Sequence, residues 1–268
     1  MPQSAIINVM TAAARKASEK LLRDFSEAGN LRVTRKATND FVTAADIRTE
    51  RILHEDLLRA RPKFGFRMEE KGEVPGEDKT MRWVIDPVDG TTNFIHTIPY
   101  FCISIALEKT LYDGTGEIQA GVIYDPVHDE MFTAEKNEGT FLNGRRVRMS
   151  DRGQLEEALL VTAPLHQERE EYHASVAMLK AVSMQQAVVR TAGATALDLA
   201  YIAAGRYDGG WYNSFQRWDI AAGMLMVREA GGTVSEIGKG GANPLDGNTL
   251  VAANTSLHPK LNNLLQQG

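Results

Sequence analysis

The chain has 268 residues, enough for one large α/β domain or for two fused halves sharing a core. Hydrophobic residues make up 43% and charged residues 24%, an ordinary balance for a water-soluble globular protein. The formal net charge of −5 argues against general binding to nucleic-acid backbones, and an acidic chain that handles phosphate needs local cations, for which bound metal ions are one source. The single cysteine, Cys102, excludes an intramolecular disulfide and a Cys-rich zinc site; set in the apolar run Phe101 to Leu107, it reads as a core thiol. Met1 to Lys20 places its charges after its apolar residues and shows no cleavage pattern, so no signal peptide is expected. No apolar stretch approaches the roughly 20 residues needed to cross a bilayer. A cytoplasmic protein is the expectation.

Ala5 to Phe25 carries apolar residues at helical spacing: Ile6, Val9, Met10, Ala13, Ala17, Leu21 and Leu22. A second helix is expected over Ala44 to Ala60, with Ile47, Ile52, Leu53, Leu57 and Leu58 on one side and Pro62 beyond its end. Strands follow at Phe64 to Met68, Arg82 to Ile85, Phe101 to Glu108, Gly121 to Tyr124 and Glu130 to Ala134. Tyr112 to Gly116 and Asn143-Gly144 read as turns. The C-terminal part reads as a strand at Ala158 to Thr162, a helix at Glu171 to Ala181, a strand at Val188 to Arg190 and a helix at Thr195 to Ala204. A helix at Asp219 to Ala230, stopped by Gly231-Gly232, a strand at Thr249 to Ala253 and a helix at Leu257 to Leu265 complete it. The elements intermix as in layered sheets and helices, in a single domain with a soft seam near 150–154 between two packed halves.

The segment Asp86-Pro87-Val88-Asp89-Gly90-Thr91-Thr92 follows a strand directly. Two carboxylates this close repel unless a cation lies between them, and Mg²⁺ accepts carboxylate and carbonyl oxygens, including that of Val88. Gly90 lets the backbone approach an anion, and a helix starting at Thr91 would turn its N–H groups and positive dipole end toward phosphate. The plain alternative is an Asx-type turn capping a helix. Spacing alone leaves the two readings open.

The longer run Trp83 to Phe94 resembles the signature of the inositol monophosphatase family. Met68-Glu69-Glu70 is similar to that family's Glu-Glu block, and Arg217 to Gly223, followed by Glu229 to Gly232, to its Trp-Asp block. Lys36 with Asp40 to Asp46 is similar to its N-terminal block. The blocks stand in family order, and the bacterial extragenic-suppressor members look most similar. The resemblance implies a layered αβαβα sandwich and a Mg²⁺-dependent, lithium-sensitive phosphoric monoester hydrolase. It implies a first Mg²⁺ on Glu69, Asp86 and the Val88 carbonyl, a second on Asp86, Asp89 and Asp219, and a third, weaker ion near Glu69 and Glu70. Thr91, oriented by Asp46, would position and help deprotonate the attacking water, with Glu69 also counted among the catalytic residues. The N–H groups of Gly90 and Thr91 would hold the phosphate, with Asp89 beside it. Gly193, Ala194 and Thr195, mainly through backbone, and Tyr212 would meet the alcohol. Homodimer formation is the family habit.

Taken alone, each outlying residue has an ordinary role. Glu69 and Glu70 would be surface acids, Asp219 a helix N-cap, Asp46 a helix acid and Lys36 a solvated lysine. The six histidines (His54, His96, His128, His166, His173 and His258) form no His-x-x-x-His pair and read as surface or packing residues. Three departures touch specificity. Tyr212 stands where family members acting on inositol phosphate usually carry a Glu, Ala163-Pro164-Leu165 replaces a Gly-containing loop, and Lys71 replaces a Ser. The expected substrate is a small phosphorylated polyol or sugar, inositol 1-phosphate by default. Fructose 1,6-bisphosphate, histidinol phosphate, an adenosine 3′,5′-bisphosphate and NADP(H) are same-class rivals. Partnership with the transcription antitermination machinery is the rival of another class, and a degenerate phosphatase ranks last because the metal-site side chains are intact.

Overall fold

The computed structural model describes residues 4–27, 33–37, 40–165, 172–239 and 243–267. Helix α1 (Ala5–Ser26) is capped by Ser4, whose hydroxyl accepts the Ile7 N–H at 3.2 Å. Its buried stripe is Ile7, Met10, Ala13, Ala14, Ala17 and Leu21. Strands β1 (Val33–Ala37) and β2 (Asp40–Thr43) form a separate antiparallel hairpin that the sequence reading missed. Strand β2 runs straight into helix α2 (Ala44–Ala60), which has the expected bounds.

The face that α2 buries differs from expectation. Its buried residues are Ala45, Asp46, Thr49, Glu50, Leu53 and Leu57, whereas Ile47 is 57% exposed and Leu58 39% exposed. The buried set follows three- and four-residue spacing, but its N-terminal half is mostly polar. The expected apolar stripe fails at this end because Asp46 meets the Thr91 hydroxyl and Glu50 meets the N–H groups of Glu70 and Lys71.

Eight strands form the larger sheet: β3 (Phe64–Met68), β4 (Gly72–Val74), β5 (Asp78–Asp89), β6 (Cys102–Thr110), β7 (Gly116–Asp125), β8 (Glu130–Glu135), β9 (Gly139–Leu142) and β10 (Arg145–Arg146). Their order is β10-β9-β8-β7-β6-β5-β3-β4, and β3 and β5 are its parallel pair. A short helix, α3 (Thr91–Ile95), separates β5 from β6. Asn143 and Gly144, with φ of 47° and 76°, make the expected two-residue turn between β9 and β10.

The remaining elements are β11 (Leu159–Thr162), α4 (Tyr172–Ser183), β12 (Val188–Arg190), α5 (Thr195–Ala203), β13 (Gly209–Asn213), α6 (Arg217–Glu229), β14 (Gly232–Ser235), β15 (Thr249–Asn254) and α7 (His258–Leu265). The expected helix start at Glu171 lies outside the described residues. Five strands pair in the order β12-β11-β13-β15-β14, with β11 parallel to both of its neighbours.

The layers follow from alternation along the strands. Trp83 and Ile85 of β5 join α1 and α2 in one core cluster, while Val84 between them joins α5 and α6 in another. That middle cluster also takes Val161, Leu250 and Ala252 from the smaller sheet, so it contains residues from both sides of 150–154. Helices α4 and α7 cover the far face of the smaller sheet through Met178, Val182, Leu257, Leu261 and Leu265. The result is the αβαβα sandwich. No helix among the described residues is long and apolar enough to cross a membrane.

The face assignment of α2 has a measurable consequence. Leu53→Ala should cost about 2–5 kcal/mol in urea unfolding, whereas Ile47→Ala should change stability by less than about 0.5 kcal/mol. Equal losses would contradict the assignment.

Candidate active site

Strand β5 carries Asp86 and Asp89 to its C-terminal end. Asp86 pairs with Ser104 and Asp89 with Cys102, so β5 holds one extra residue between them, a bulge that re-aims the strand end. Asp86 is only 3% exposed, and its Oδ1 accepts the Val88 N–H at 3.0 Å, the local bond of an Asx-type turn. The turn and the carboxylate cluster are therefore both present. Gly90 follows with φ of 94°, and a Cβ there would lie 3.0 Å from the Tyr100 carbonyl and 3.1 Å from the Ala194 Cβ. No side chain caps α3, which begins at Thr91.

The Thr91 hydroxyl lies 3.1 Å from Asp46 Oδ1 and 3.0 Å from the Val88 carbonyl, so its one proton serves two acceptors. Asp46 is buried at the start of α2. One turn further, Glu50 accepts the N–H groups of Glu70 at 2.7 Å and Lys71 at 2.9 Å. Sequence reasoning missed Glu50, although it falls on the buried stripe. It fixes the turn carrying Glu69, whose carboxyl hydrogen-bonds Asp86.

Asp89 faces helix α5. Its Oδ1 accepts the Thr195 N–H at 3.2 Å, and its Oδ2 accepts those of Ala196 at 2.6 Å and Leu197 at 3.4 Å. The N-cap residue Ala194 has no side chain to do this. Asp89 thus caps α5 from another sheet, and this corrects one expectation: the Thr195 N–H bonds to protein and is not held open for the alcohol.

Behind that helix turn lies a buried group that sequence reading missed. Asp198 is 1% exposed and accepts hydrogen bonds from the Tyr100 hydroxyl at 2.6 Å and the Tyr212 hydroxyl at 3.3 Å. Tyr212 is buried, so its phenol points at Asp198. The signal for Asp198 was weak, an acid in the first turn of an otherwise apolar helix.

Asp219 is the third residue of α6, not its N-cap, because the helix starts at Arg217. Its carboxylate accepts the Gln216 N–H at 2.8 Å in a capping box. Asp219, Thr92, Asn93, Gly193, Thr195 and Tyr212 line a cleft of about 470 Å³ that also touches Ala163, Pro164 and Leu165. Asn93 braces it, donating to the carbonyls of Tyr100 at 2.7 Å and Ala192 at 2.8 Å.

The electrostatics are those of crowded anions. Burial pushes the Asp86 carboxyl well above its ordinary range, and the charges of Glu69, Asp89 and Asp219 push it further. Asp89 is raised to about 7, chiefly by burial and then by Asp198, against the lowering effect of its backbone N–H donors. Among the described residues no three His, Cys, Asp or Glu side chains close into a preformed ligand set. The donor chemistry nevertheless suits a hard cation: the strongest charges acting on Asp86 are all carboxylates. Among the histidines, His128 bonds Asp125 at 2.7 Å, His258 bonds Ser235 at 3.1 Å and His54 packs on Phe66, while His166 lies outside the described residues.

The extragenic suppressor protein suhB of Bartonella henselae has a crystal structure similar to this one, with a TM-score of 0.93 and 46% identity. The match covers 99% of this chain and 100% of that one. The fold is that of a phosphoric monoester hydrolase. An inositol-1-monophosphatase of Mesorhizobium japonicum is 47% identical over 254 residues, 95% of this chain and 93% of that protein. A Nus factor SuhB of Pseudomonas aeruginosa is 40% identical over 265 residues, 97% of this chain and 96% of that protein. The sequence model of the inositol monophosphatase family matches residues 3–268, and the chain belongs to that family.

Burial raises Asp198 to about 7 against the lowering effect of its two tyrosine donors. The folded protein then holds a proton that the unfolded chain releases near pH 4, so this group's contribution falls as pH rises from about 4 to about 7 and is flat above. The stability advantage of Asp198→Asn over the parent should grow between about pH 4 and about pH 7 and level off above, read by urea unfolding in chelator. A stability difference independent of pH would show that Asp198 does not carry the proton.

Proposed function

We propose that the chain hydrolyses the phosphate ester of a small polyol or sugar, with inositol 1-phosphate as the default substrate, and that two to three Mg²⁺ ions assist. The single observation that carries this reading is the Thr91 hydroxyl, held by buried Asp46 beside Asp86 and Asp89 at the mouth of α3. Glu69, Asp86 and the Val88 carbonyl would hold one ion, and Asp86, Asp89 and Asp219 a second. When bound, Mg²⁺ supplies the positive charge that offsets these carboxylates and polarises the phosphate ester.

The protein's own steps follow from the geometry. The Thr91 proton is committed to Asp46 or Val88, so its oxygen is left to accept a hydrogen bond from water. A water held there is oriented toward phosphorus, and its proton can pass through Thr91 toward Asp46. The uncapped first turn of α3, at Gly90 and Thr91, would receive a phosphate oxygen. The leaving alcohol would lie in the cleft near Gly193, Ala194 and Tyr212. The inositol-1-monophosphatase name of one relative supports the default substrate. Lithium sensitivity, a homodimer and a cytoplasmic setting complete this reading as features typical of the family. The relative named Nus factor SuhB supports a second reading, partnership with the antitermination machinery through a surface that needs no metal. Loss of a cellular phenotype on Asp89→Asn would favour the enzyme.

Two substitutions test the mechanism in purified protein. Asp46→Asn should lower kcat by about 10²–10⁴-fold with KM little changed. Asp86→Asn should abolish hydrolysis while raising the melting temperature of the chelated protein, because it removes a buried, repelled charge and keeps the acceptor for the Val88 N–H. Hydrolysis undiminished in excess chelator would rule out the metal reading.

A further inference from the structure

The carboxylates of the site come from separate elements. Asp86 and Asp89 stand at the end of β5, Glu69 follows β3, and Asp219 stands in the first turn of α6. The capping box ties the Asp219 carboxylate to its own helix entry at Gln216. The placement of that helix entry relative to β5 therefore decides where Asp219 stands among the other carboxylates.

One buried ion cluster makes the connection. Glu108 of β6 is 0% exposed. Arg82 of β5 donates to it twice, from Nε and Nη2, both at 2.9 Å. Arg217, the first residue of α6, donates to the same carboxylate from Nη1. Its Nη2 reaches the Leu245 carbonyl at 3.0 Å and Asp246 at 2.7 Å. The first turn of the helix bearing Asp219 is thus bound through one carboxylate to the strand bearing Asp86 and Asp89.

Two further features mark the cluster as built. An arginine in the first turn of a helix opposes the helix dipole, so its place there needs a compensating anion, and Glu108 supplies it. A Cβ on Gly116 would collide with the Glu108 carboxylate and crowd the Arg217 guanidinium, so the neighbouring strand leaves room for both. Buried ion pairs contribute weakly to net stability yet can fix one arrangement.

We infer that Glu108 and Arg217 are positioning residues that hold Asp219 in register with Asp86 and Asp89. This rests on the reading of those three carboxylates as a shared Mg²⁺ site. For Arg217, though not for Glu108, positioning and simple electrostatics predict opposite signs, so the arginine variants carry the discrimination. Removing the Arg217 charge makes the region more negative, which by charge alone should tighten Mg²⁺ binding. Loss of register should weaken it.

The experiment is calorimetric titration of Mg²⁺ into the full-length chelated protein, below the melting temperature of each variant. Arg217→Met and Glu108→Gln should each bind Mg²⁺ about tenfold more weakly than the parent, as expected for groups that orient ligands. The double variant should bind no more weakly than the worse single one, because both break the same link. Should either fail to fold, Arg217→Lys keeps the charge without the fork and should bind more weakly by a smaller factor. Unchanged or tighter Mg²⁺ binding in any folded variant overturns the inference, even where the melting temperature falls, since a merely structural cluster gives that result. A parent protein that takes up no Mg²⁺ overturns the metal reading and this inference together.

Discussion

Like charges withdrawn from water govern the design of this chain. Asp86 is almost fully buried, its strongest neighbours are Glu69, Asp89 and Asp219, and Asp198 adds to the charge on Asp89. Gathering carboxylates in a medium of low polarity is costly unless protons or cations offset them. The raised ranges of Asp86, Asp89 and Asp198 record that cost. For Asp89, raised to about 7, it falls on a residue that the proposed chemistry would use, since a group poised near neutrality exchanges protons and cations readily.

The fold limits the cost by giving several carboxylates a partner on a neighbouring element. Asp89 takes the free N–H groups of α5 in place of the absent cap at Ala194. Asp46 holds the Thr91 hydroxyl, Glu50 binds the Glu69 turn through the next two N–H groups, and Asp219 closes a capping box. Each anion thus carries out local structural work at a helix end or turn, and that work aims it. The ordinary reading of Asp86 as a turn residue was right about local bonding, and that of Asp219 as an N-cap was off by three positions, since it closes the capping box from the first turn.

Much of this was legible in the sequence. The bounds of α2, β3 and β12, and those of most helices to within a residue or two, follow from periodicity and from Gly and Pro punctuation. The strands that escaped had physical reasons to do so. Strand β13 begins Gly209-Gly210, which reads as a turn; in the fold a Cβ on Gly210 would stand 2.6 Å from the Val161 carbonyl, so the glycine serves close packing. Strands β4 and β10 are too short to show alternation. The ends of β5 were legible as a site because Asp86 to Thr92 is contiguous. Glu50, Asp198 and Glu108 were not, because each acts on residues distant in sequence, and a lone acid in an apolar or mixed segment carries no sign of its partner.

The two ends of the cleft obey different constraints. At the β5 end, the proposed function has Asp86, Asp89, Thr91 and Asp46 deal with the phosphate, which every small monoester shares. At the other end the alcohol must be distinguished, and there Tyr212 commits its hydroxyl to Asp198. A phenol turned away cannot accept from two sugar hydroxyls as a carboxylate could. Besides Asp219, the cleft is lined by neutral groups, among them Thr191, Asn213 and Ser214, alongside apolar Pro164, Leu165 and Phe215. Neutral hydrogen bonds and shape discriminate less sharply than a buried charge whose partner is missing. The buried Asp198 places a titratable carboxyl in the core behind the cleft wall. It ties helix α5 to strand β13, two elements whose residues line the cleft.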